Sequence, residues 1–166
     1  KIIGHNTDID GFELAIKDVN YDVKGKKVLI LGAGGVVPSV IFALYKMGVL
    51  SITISNRTKT KAENLKNLFK DLEVVDWNEI SDFDMIINAT SIGLKKEDRL
   101  NLDFSKFQNC EFFYDVIYNP KETNFLRDGK SLGKKTENGK KMFIYQALKS
   151  FKIWHGIEPK INEQVI

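Results

Sequence analysis

Hydrophobic positions along the chain alternate between helical spacing and short apolar runs. From Asp8 to Val19 apolar residues recur every three or four positions, which predicts an amphipathic helix that Thr7 or Asp8 would cap. Val28–Leu31 is fully apolar and precedes a glycine-rich turn, as is typical of a central parallel strand buried on both faces. A second helix is expected over Val36–Met47.

The alternation continues to about residue 150. Strands are predicted at 51–55, 73–75, 85–88, 111–116 and 134–137, and helices at 58–70, 123–132 and 140–151. The helix at 58–70 is expected to bury Leu68 on its inner face, and Phe151 is among the apolar positions of the last helix. The order predicts an α/β, Rossmann-like fold: a doubly wound, mostly parallel sheet of about six strands with helices on both faces.

Composition narrows the class of protein. The 166 residues fit one domain, and 43% hydrophobic residues suffice for a core. No apolar run approaches the ~20 residues of a membrane span, no signal-peptide pattern is present, and Cys110 is the one cysteine. A net charge of +3 is too weak to indicate nucleic-acid binding. We expect a cytoplasmic protein without a membrane or nucleic-acid partner.

A glycine-rich turn follows the apolar strand and opens the next helix. Gly32 allows a sharp turn, Gly34 and Gly35 let the backbone approach a ligand, and the helix start favours an anion. We therefore predict a dinucleotide site at Gly32, Ala33, Gly34, Gly35 and Val36. Val37 departs from the pattern, since a small residue is usual there; the alternative is a turn without a ligand.

The residues after the second strand indicate which dinucleotide binds. An NAD site would carry an acid there to hold the ribose hydroxyls, but this chain has Asn56-Arg57-Thr58 and then Lys61. Arg57 can stack on adenine and pair with a 2′-phosphate, to which Asn56 and Thr58 can add hydrogen bonds. The sequence thus favours NADP over NAD; a basic solvated helix face is the alternative.

Six segments in order resemble the C-terminal, NADP-binding domain of shikimate dehydrogenase, across nearly the whole chain. They are Asn6-Thr7-Asp8 with the following Asp10-Gly11-Phe12, the glycine turn, Asn56-Arg57-Thr58, Asn88 to Gly93, Asp115 to Pro120, and Gly139-x-x-Met142 with Gln146 and Trp154-x-Gly156. The resemblance implies reversible hydride transfer between shikimate and 3-dehydroshikimate with NADP(H), in chorismate and aromatic amino-acid biosynthesis.

The same resemblance implies roles for individual residues. Asp8 corresponds to the family's catalytic Asp, whereas a helix cap is the alternative. Gln146 and Tyr118 would border the substrate, against a surface glutamine and a half-buried tyrosine. Cofactor contacts are also expected at four further positions, namely Thr90, Ser91, Val116 and Gly139.

The family's catalytic Lys belongs to an N-terminal substrate-binding domain that nothing in this chain matches. The chain also begins at Lys1 inside a polar motif, which suggests a piece of a longer protein. We expect residues 1–166 to form one NADP-binding domain, with 1–22 and 140–166 facing that missing domain, and the chain to be catalytically incomplete alone. No metal is expected.

Other functions remain open. One is a quinate/shikimate dehydrogenase-type enzyme that uses NAD, against which Asn56-Arg57-Thr58 argues. A glutamyl-tRNA reductase is disfavoured by Asn6-Thr7-Asp8 and Gln146. A dinucleotide-binding module that catalyses nothing, or a paralogue that has lost the cofactor, also fits the sequence; Val37 is the only support for the latter.

Overall fold

The computed structural model describes residues 2–77, 79 and 82–160. Helices and strands alternate in the predicted order, with one additional 3₁₀ helix at Phe104–Phe107. The elements are α1 (Thr7–Asp18), β1 (Lys27–Leu31), α2 (Val37–Lys46), β2 (Ser51–Ser55), α3 (Lys59–Leu65), β3 (Glu73–Val74), β4 (Met85–Asn88), β5 (Phe112–Asp115), α4 (Asn124–Ser131), β6 (Lys135–Glu137) and α5 (Lys140–His155).

The strands form one six-stranded sheet in the order β3-β2-β1-β4-β5-β6, and every pairing is parallel. The order reverses direction between β1 and β4, which is the topological switch point of a doubly wound fold. The predicted fold class is therefore confirmed. Ligands of such sheets bind beyond the carboxyl ends of the strands at this point.

Both faces of the sheet are covered, which explains the unbroken apolar run of β1. Val28 and Ile30 face a core shared with α1 and α2, whereas Leu29 and Leu31 face a second core that includes the 3₁₀ helix and α4. All four side chains are fully buried. Burial of this kind stabilises by roughly 1.5–3 kcal/mol per side chain, so the central strands are firmly placed.

The start of α1 differs from the prediction. Asn6, rather than Thr7 or Asp8, caps the helix: its side-chain oxygen accepts from the Asp8 N–H at 3.1 Å. Its amide nitrogen also donates to Ser39 Oγ on α2 at 2.9 Å. One asparagine therefore caps the start of α1 and joins it to α2, which leaves the Asp8 carboxylate unused by the cap.

The predicted burial of Leu68 is wrong, and the apolar Phe151 is also exposed. α3 ends at Leu65, so Leu68 lies beyond it and is 70% exposed. α5 continues to His155, where Gly156 adopts φ +69°, but Phe151 is 41% exposed. α5 packs one side against α1, and a second apolar stripe faces away from the described residues. Residues 161–166 of the predicted edge at 140–166 lie outside the described residues.

α1 and α5 approach closely because Gly11 has no side chain. A Cβ at Gly11 would lie 2.8 Å from both the Met142 carbonyl oxygen and Gln146 Cβ. None of the described helices has the length and apolar character that crossing a bilayer requires.

Candidate functional site

A cleft of about 740 Å³ opens at the carboxyl ends of β1, β2 and β4, on the switch point of the sheet. The structure gathers nine of the predicted cofactor residues in its walls: Gly32, Ala33, Gly34, Asn56, Arg57, Thr58, Lys61, Thr90 and Ser91. They come from three loops separated in sequence. The fold thus brings the glycine turn, the basic segment and the loop after β4 to one place.

The glycine turn forms the floor of this cleft. Gly32 has φ +110°, and a Cβ there would lie 2.7 Å from the Ala89 carbonyl oxygen, so only glycine fits. The main-chain N–H groups of residues 33–36 donate to no acceptor within the described part of the chain. Consecutive free N–H groups at a helix start can bind the oxygens of a phosphate.

Two predicted residues of this turn lie outside the cleft. Gly35 is exposed, and Val36, the residue before α2, packs partly on the core. Val37 is fully buried in that core, which accounts for a larger residue where a small one is usual. The departure at Val37 therefore leaves the ligand side of the turn unaltered.

The basic wall follows β2. Arg57 and Lys61 are exposed and form no ion pair among the described residues, whereas Lys59 pairs with Asp76 at 2.9 Å. The Thr58 hydroxyl makes no capping hydrogen bond to α3. The Asn56 amide is already engaged, since it donates to the Thr58 carbonyl at 2.7 Å. Arg57, Thr58 and Lys61 are therefore free to receive an anion, while Asn56 shapes the turn.

Asn88 fixes the loop after β4 from a buried position. Its side-chain oxygen accepts from the Thr90 N–H at 3.1 Å and from the Thr90 hydroxyl at 2.7 Å. Its amide nitrogen donates to the Ile92 carbonyl and to Asp115 Oδ1. This network holds Thr90 and Ser91 at the mouth of the cleft and links the ends of β4 and β5.

Asp115 is fully buried at the end of β5. Burial raises the pKa of its carboxyl to about 6, although hydrogen bonds from Thr123 Oγ1 at 2.6 Å, the Ile117 N–H and Asn88 oppose the shift. The group is a structural junction between the β4 and β5 loops. It lies outside the cleft walls.

Val116 and Gly139 meet directly, outside the walls of the cleft. A Cβ at Gly139 would overlap the Val116 carbonyl oxygen and lie 2.6 Å from the carbonyl carbon. The Gly139 N–H also donates to the Ile117 carbonyl at 3.1 Å. The contact sets the position where α5 leaves the sheet, so Gly139 has a structural role whatever it binds.

The predicted substrate residues lie on an edge formed by α1 and α5. The Thr7 hydroxyl donates to Gln146 Oε1 at 3.4 Å and contacts Ser150 Oγ at 3.0 Å. The adjacent Asp8 carboxylate is half-buried and has no hydrogen bond or ion pair among the described residues. A half-buried carboxylate beside an amide is suited to orient a hydroxyl group.

Tyr118 is 46% exposed beyond the end of β5. Its ring stacks on Phe143 of α5, with centroids 4.9 Å apart and planes at 22°. The structure therefore joins Tyr118 to α5, but it does not place Tyr118 in the cleft.

Sequence reasoning missed one wall of the cleft. Trp77, Arg99 and Asn101 also line it, and the Trp77 indole N–H donates to the Asn101 carbonyl at 2.9 Å. The segment 95–101 looks like a charged loop without a core signal, yet Leu100 is buried. The alternation of Arg99, Leu100, Asn101 and Leu102 was the signal that could have revealed a segment with one face on the core.

The described residues offer neither a reactive cysteine nor a cluster of metal ligands. Cys110 is buried, and desolvation raises the pKa of its thiol to about 12, which does not suit a nucleophile. Within the described ranges, His, Cys, Asp and Glu form no cluster that could hold a metal ion.

The chain is similar to known proteins in both sequence and structure. The family model described as shikimate/quinate 5-dehydrogenase matches residues 13–110. The NADP(+) shikimate dehydrogenase of Pelagibacter ubique (strain HTCC1062) is 57% identical over 166 residues, which is all of this chain and 63% of that protein. The chain thus spans about three fifths of the length of the curated relatives it matches.

Solved structures agree. Shikimate dehydrogenase from Thermus thermophilus, in complex with NADP(H) and shikimate, gives a TM-score of 0.84 at 33% identity, covering 95% of this chain and 59% of that one. Quinate dehydrogenase from Corynebacterium glutamicum, in complex with NAD, gives 0.85 at 30% identity, with 95% and 59% covered.

Proposed function

The chain belongs to the shikimate/quinate 5-dehydrogenase family, and from that membership we propose that it is the NADP-binding part of a cytoplasmic shikimate dehydrogenase. The reaction would be reversible hydride transfer between shikimate and 3-dehydroshikimate, a step towards chorismate and aromatic amino acids. The observation that carries the proposal is one cleft whose walls include Ala33 and Gly34, with free main-chain N–H groups, and Arg57, which has no ion pair among the described residues.

The residues present fit NADP better than NAD. The main-chain N–H groups of residues 33–36 can donate to a pyrophosphate. For a 2′-phosphate, the chain offers the planar guanidinium of Arg57, the hydroxyl of Thr58 and the ammonium group of Lys61. No acid follows β2 to hold ribose hydroxyls, and Asp76 is paired with Lys59. This disfavours the NAD-dependent quinate/shikimate alternative.

The α1–α5 edge supplies the chemistry that this chain can contribute. Bound NADP⁺ would accept the hydride. Asp8 would accept a hydrogen bond from the reacting hydroxyl and help to carry its proton, and Gln146, held by Thr7, would bind a neighbouring hydroxyl. Tyr118 would border the same space.

The site is incomplete without a second proton-handling group, because no lysine pairs with Asp8 among the described residues, and the nearby Lys149 pairs with Asp10. We propose that an N-terminal substrate-binding domain supplies it and packs on the edge formed by residues 1–22 and 140–166. The exposed apolar face of α5 and Tyr118 supports this arrangement, since Trp154 is 76% exposed.

Titration of the chain with NADPH, followed by nucleotide fluorescence, tests the cofactor assignment. Arg57→Gln should weaken binding about 10- to 100-fold, because a charge-assisted hydrogen bond contributes ~1.5–3 kcal/mol. Lys70→Gln removes an exposed charge outside the cleft and should leave the affinity within about twofold. Equal effects of the two substitutions would mean that Arg57 contributes only through the overall charge of the chain and does not contact the 2′-phosphate.

The reaction is tested by joining the N-terminal part of the Pelagibacter relative to this chain. The chain alone should not reduce NADP⁺ with shikimate, and the chimera should. In the chimera, Asp8→Asn should lower kcat about 10²- to 10⁴-fold while NADPH affinity is retained, whereas Asp10→Asn, two residues away, should not. Activity of the chain alone would disprove the incomplete site.

A further inference from the structure

The segment from Arg99 to Leu102 alternates between core and cleft. Leu100 and Leu102 pack into the core cluster that contains Leu29 and Leu31. Arg99 and Asn101 are exposed and line the cleft. Packing of the two leucines therefore anchors the main chain that carries Arg99, even though the surrounding sequence is polar.

A second contact joins this segment to the β3 side of the cleft. The Asn101 carbonyl accepts from the Trp77 indole N–H at 2.9 Å, and Trp77 follows β3 directly after Asp76. Asp76 in turn forms an ion pair with Lys59 at the start of α3. The wall that bears Arg99 thus joins the β3 side of the cleft, next to the loop that carries Arg57.

The charges of the cleft are unbalanced. Lys59 is neutralised by Asp76, whereas Arg57 and Lys61 have no acidic partner among the described residues. Arg99 has one carboxylate nearby, Asp128 on α4, at 3.8 Å and on the surface. An exposed pair at that distance contributes little, so the Arg99 guanidinium can turn to a stronger anion at small cost.

We propose that Arg99 is a specificity-determining residue that binds the adenosine 2′-phosphate of NADP together with Arg57, from a separate loop of the same cleft. This inference rests on the proposed function and names a residue beyond the basic segment after β2. Two guanidinium groups from separate loops would enclose a dianionic phosphate, and a ribose hydroxyl offers them no comparable charge. The contact therefore raises the preference for NADPH over NADH.

The test compares NADPH and NADH affinities of the intact chain and three variants by calorimetry. Arg99→Gln should weaken NADPH binding about 10-fold or more and alter NADH binding less than threefold. Arg99→Lys should recover part of the loss. Lys96→Gln is the matched control. The substitution removes a cation from the same loop, but Lys96 lines a separate cavity of about 400 Å³. It should change neither affinity.

Each result has a distinct meaning. Equal weakening of NADPH and NADH by Arg99→Gln would overturn the inference, since the residue would then act on the part shared by both nucleotides. Equal effects of Arg99→Gln and Lys96→Gln would also overturn it. Failure of the unsubstituted chain to bind either nucleotide would instead count against the proposed function, and thermal unfolding shows whether each variant is folded.

Discussion

Gly34 lies in the glycine turn at a position where the surrounding residues would leave room for a side-chain methyl group. A Cβ there would meet only the Ala89 carbonyl oxygen, at an ordinary 3.8 Å, and its φ lies outside the left-handed region. Gly32 is different, because both its φ and its contact with Ala89 demand glycine. The fold therefore does not require glycine at position 34, and we expect the missing side chain to make room for the ligand.

Gly34→Ala should separate binding from stability. We expect the free energy of unfolding to change by less than about 1 kcal/mol, while NADPH affinity falls about 10-fold or more because the new methyl group occupies the phosphate position. Urea unfolding and nucleotide titration of the same sample measure the two effects. An unchanged affinity would mean that no phosphate approaches the turn.

Asp115 makes stability depend on pH in an unusual direction. Its pKa is raised to about 6 in the folded chain from an ordinary value of 3.8. Between these values the folded state holds the proton and the unfolded state does not. Stability from this group is therefore present in full below pH ~4, declines as pH rises, and its penalty of about 3 kcal/mol is complete above pH ~6.

Asp115→Asn should flatten that decline. The free energy of unfolding is measured with urea from pH 4 to pH 7. As the pH rises, the variant should become more stable relative to the unsubstituted chain. Asp103→Asn is a control without a slope in this range, because hydrogen bonds from Ser105 lower the pKa of Asp103 and its contribution changes only below pH ~4. Parallel pH curves for Asp115→Asn and the unsubstituted chain would contradict the assignment.

At the scale of elements, the junction between β5 and α5 depends on one close backbone contact. Gly139 lies against the Val116 carbonyl, where no Cβ fits. Gly133, at the end of α4, has φ +71° but open space around it. Substitution of Gly139 therefore measures the destabilisation caused by a steric clash, and substitution of Gly133 measures that caused by a left-handed backbone.

We predict that Gly139→Ala destabilises the chain by ~2–4 kcal/mol, and Gly133→Ala by ~1–2 kcal/mol. Thermal and urea unfolding give both values. A smaller loss at Gly139 than at Gly133 would show that the β5–α5 junction relaxes easily, and it would remove the structural reason for glycine there.

The sequence predicts the central elements well for a physical reason. β1 and β4 are buried on both faces, so their apolar runs, each followed by a loop with glycine, are strong signals. The end of α3 and the exposed side of α5 are predicted poorly. An apolar residue such as Leu68 or Phe151 marks a core only when another element covers it, and local spacing does not contain that information.

The site divides in the same way. The glycine turn and Arg57 are carried by local motifs, so the sequence places them correctly in the cleft. Arg99 and Trp77 belong to loops that meet through a side-chain to main-chain hydrogen bond, which no motif encodes. Gly35, Val36, Val116 and Gly139 follow motif positions but lie outside the cleft walls, so their cofactor contacts stay predictions.

At the scale of the whole molecule, the apolar face of α5 is the main feature left uncovered among the described residues. Phe143, Phe151 and Trp154 are 47%, 41% and 76% exposed, and Tyr118 extends the face through its stack on Phe143. Gln146 lies on the neighbouring side of α5, which packs against α1, close to Thr7 and Gly11. A domain that packs here would bury the apolar face and enclose the predicted substrate residues together.

Tryptophan fluorescence tests that arrangement. The chain has two tryptophans, so Trp77→Phe leaves Trp154 as the reporter. Its emission should be that of a solvated indole in the chain alone and should shift to shorter wavelength in the chimera with the Pelagibacter N-terminal part. Identical spectra would place the added domain elsewhere. Trp154→Phe is the matched variant, and its emission should not respond to the joined domain.

The central claim is that the cleft is a site for a 2′-phosphorylated dinucleotide. The most direct test is calorimetric titration of the unsubstituted chain with NADPH and then with NADH. We predict saturable binding of NADPH at one site and binding of NADH at least about 10-fold weaker, equivalent to ~1.4 kcal/mol. Equal affinity for the two nucleotides, or a preference for NADH, would contradict the account.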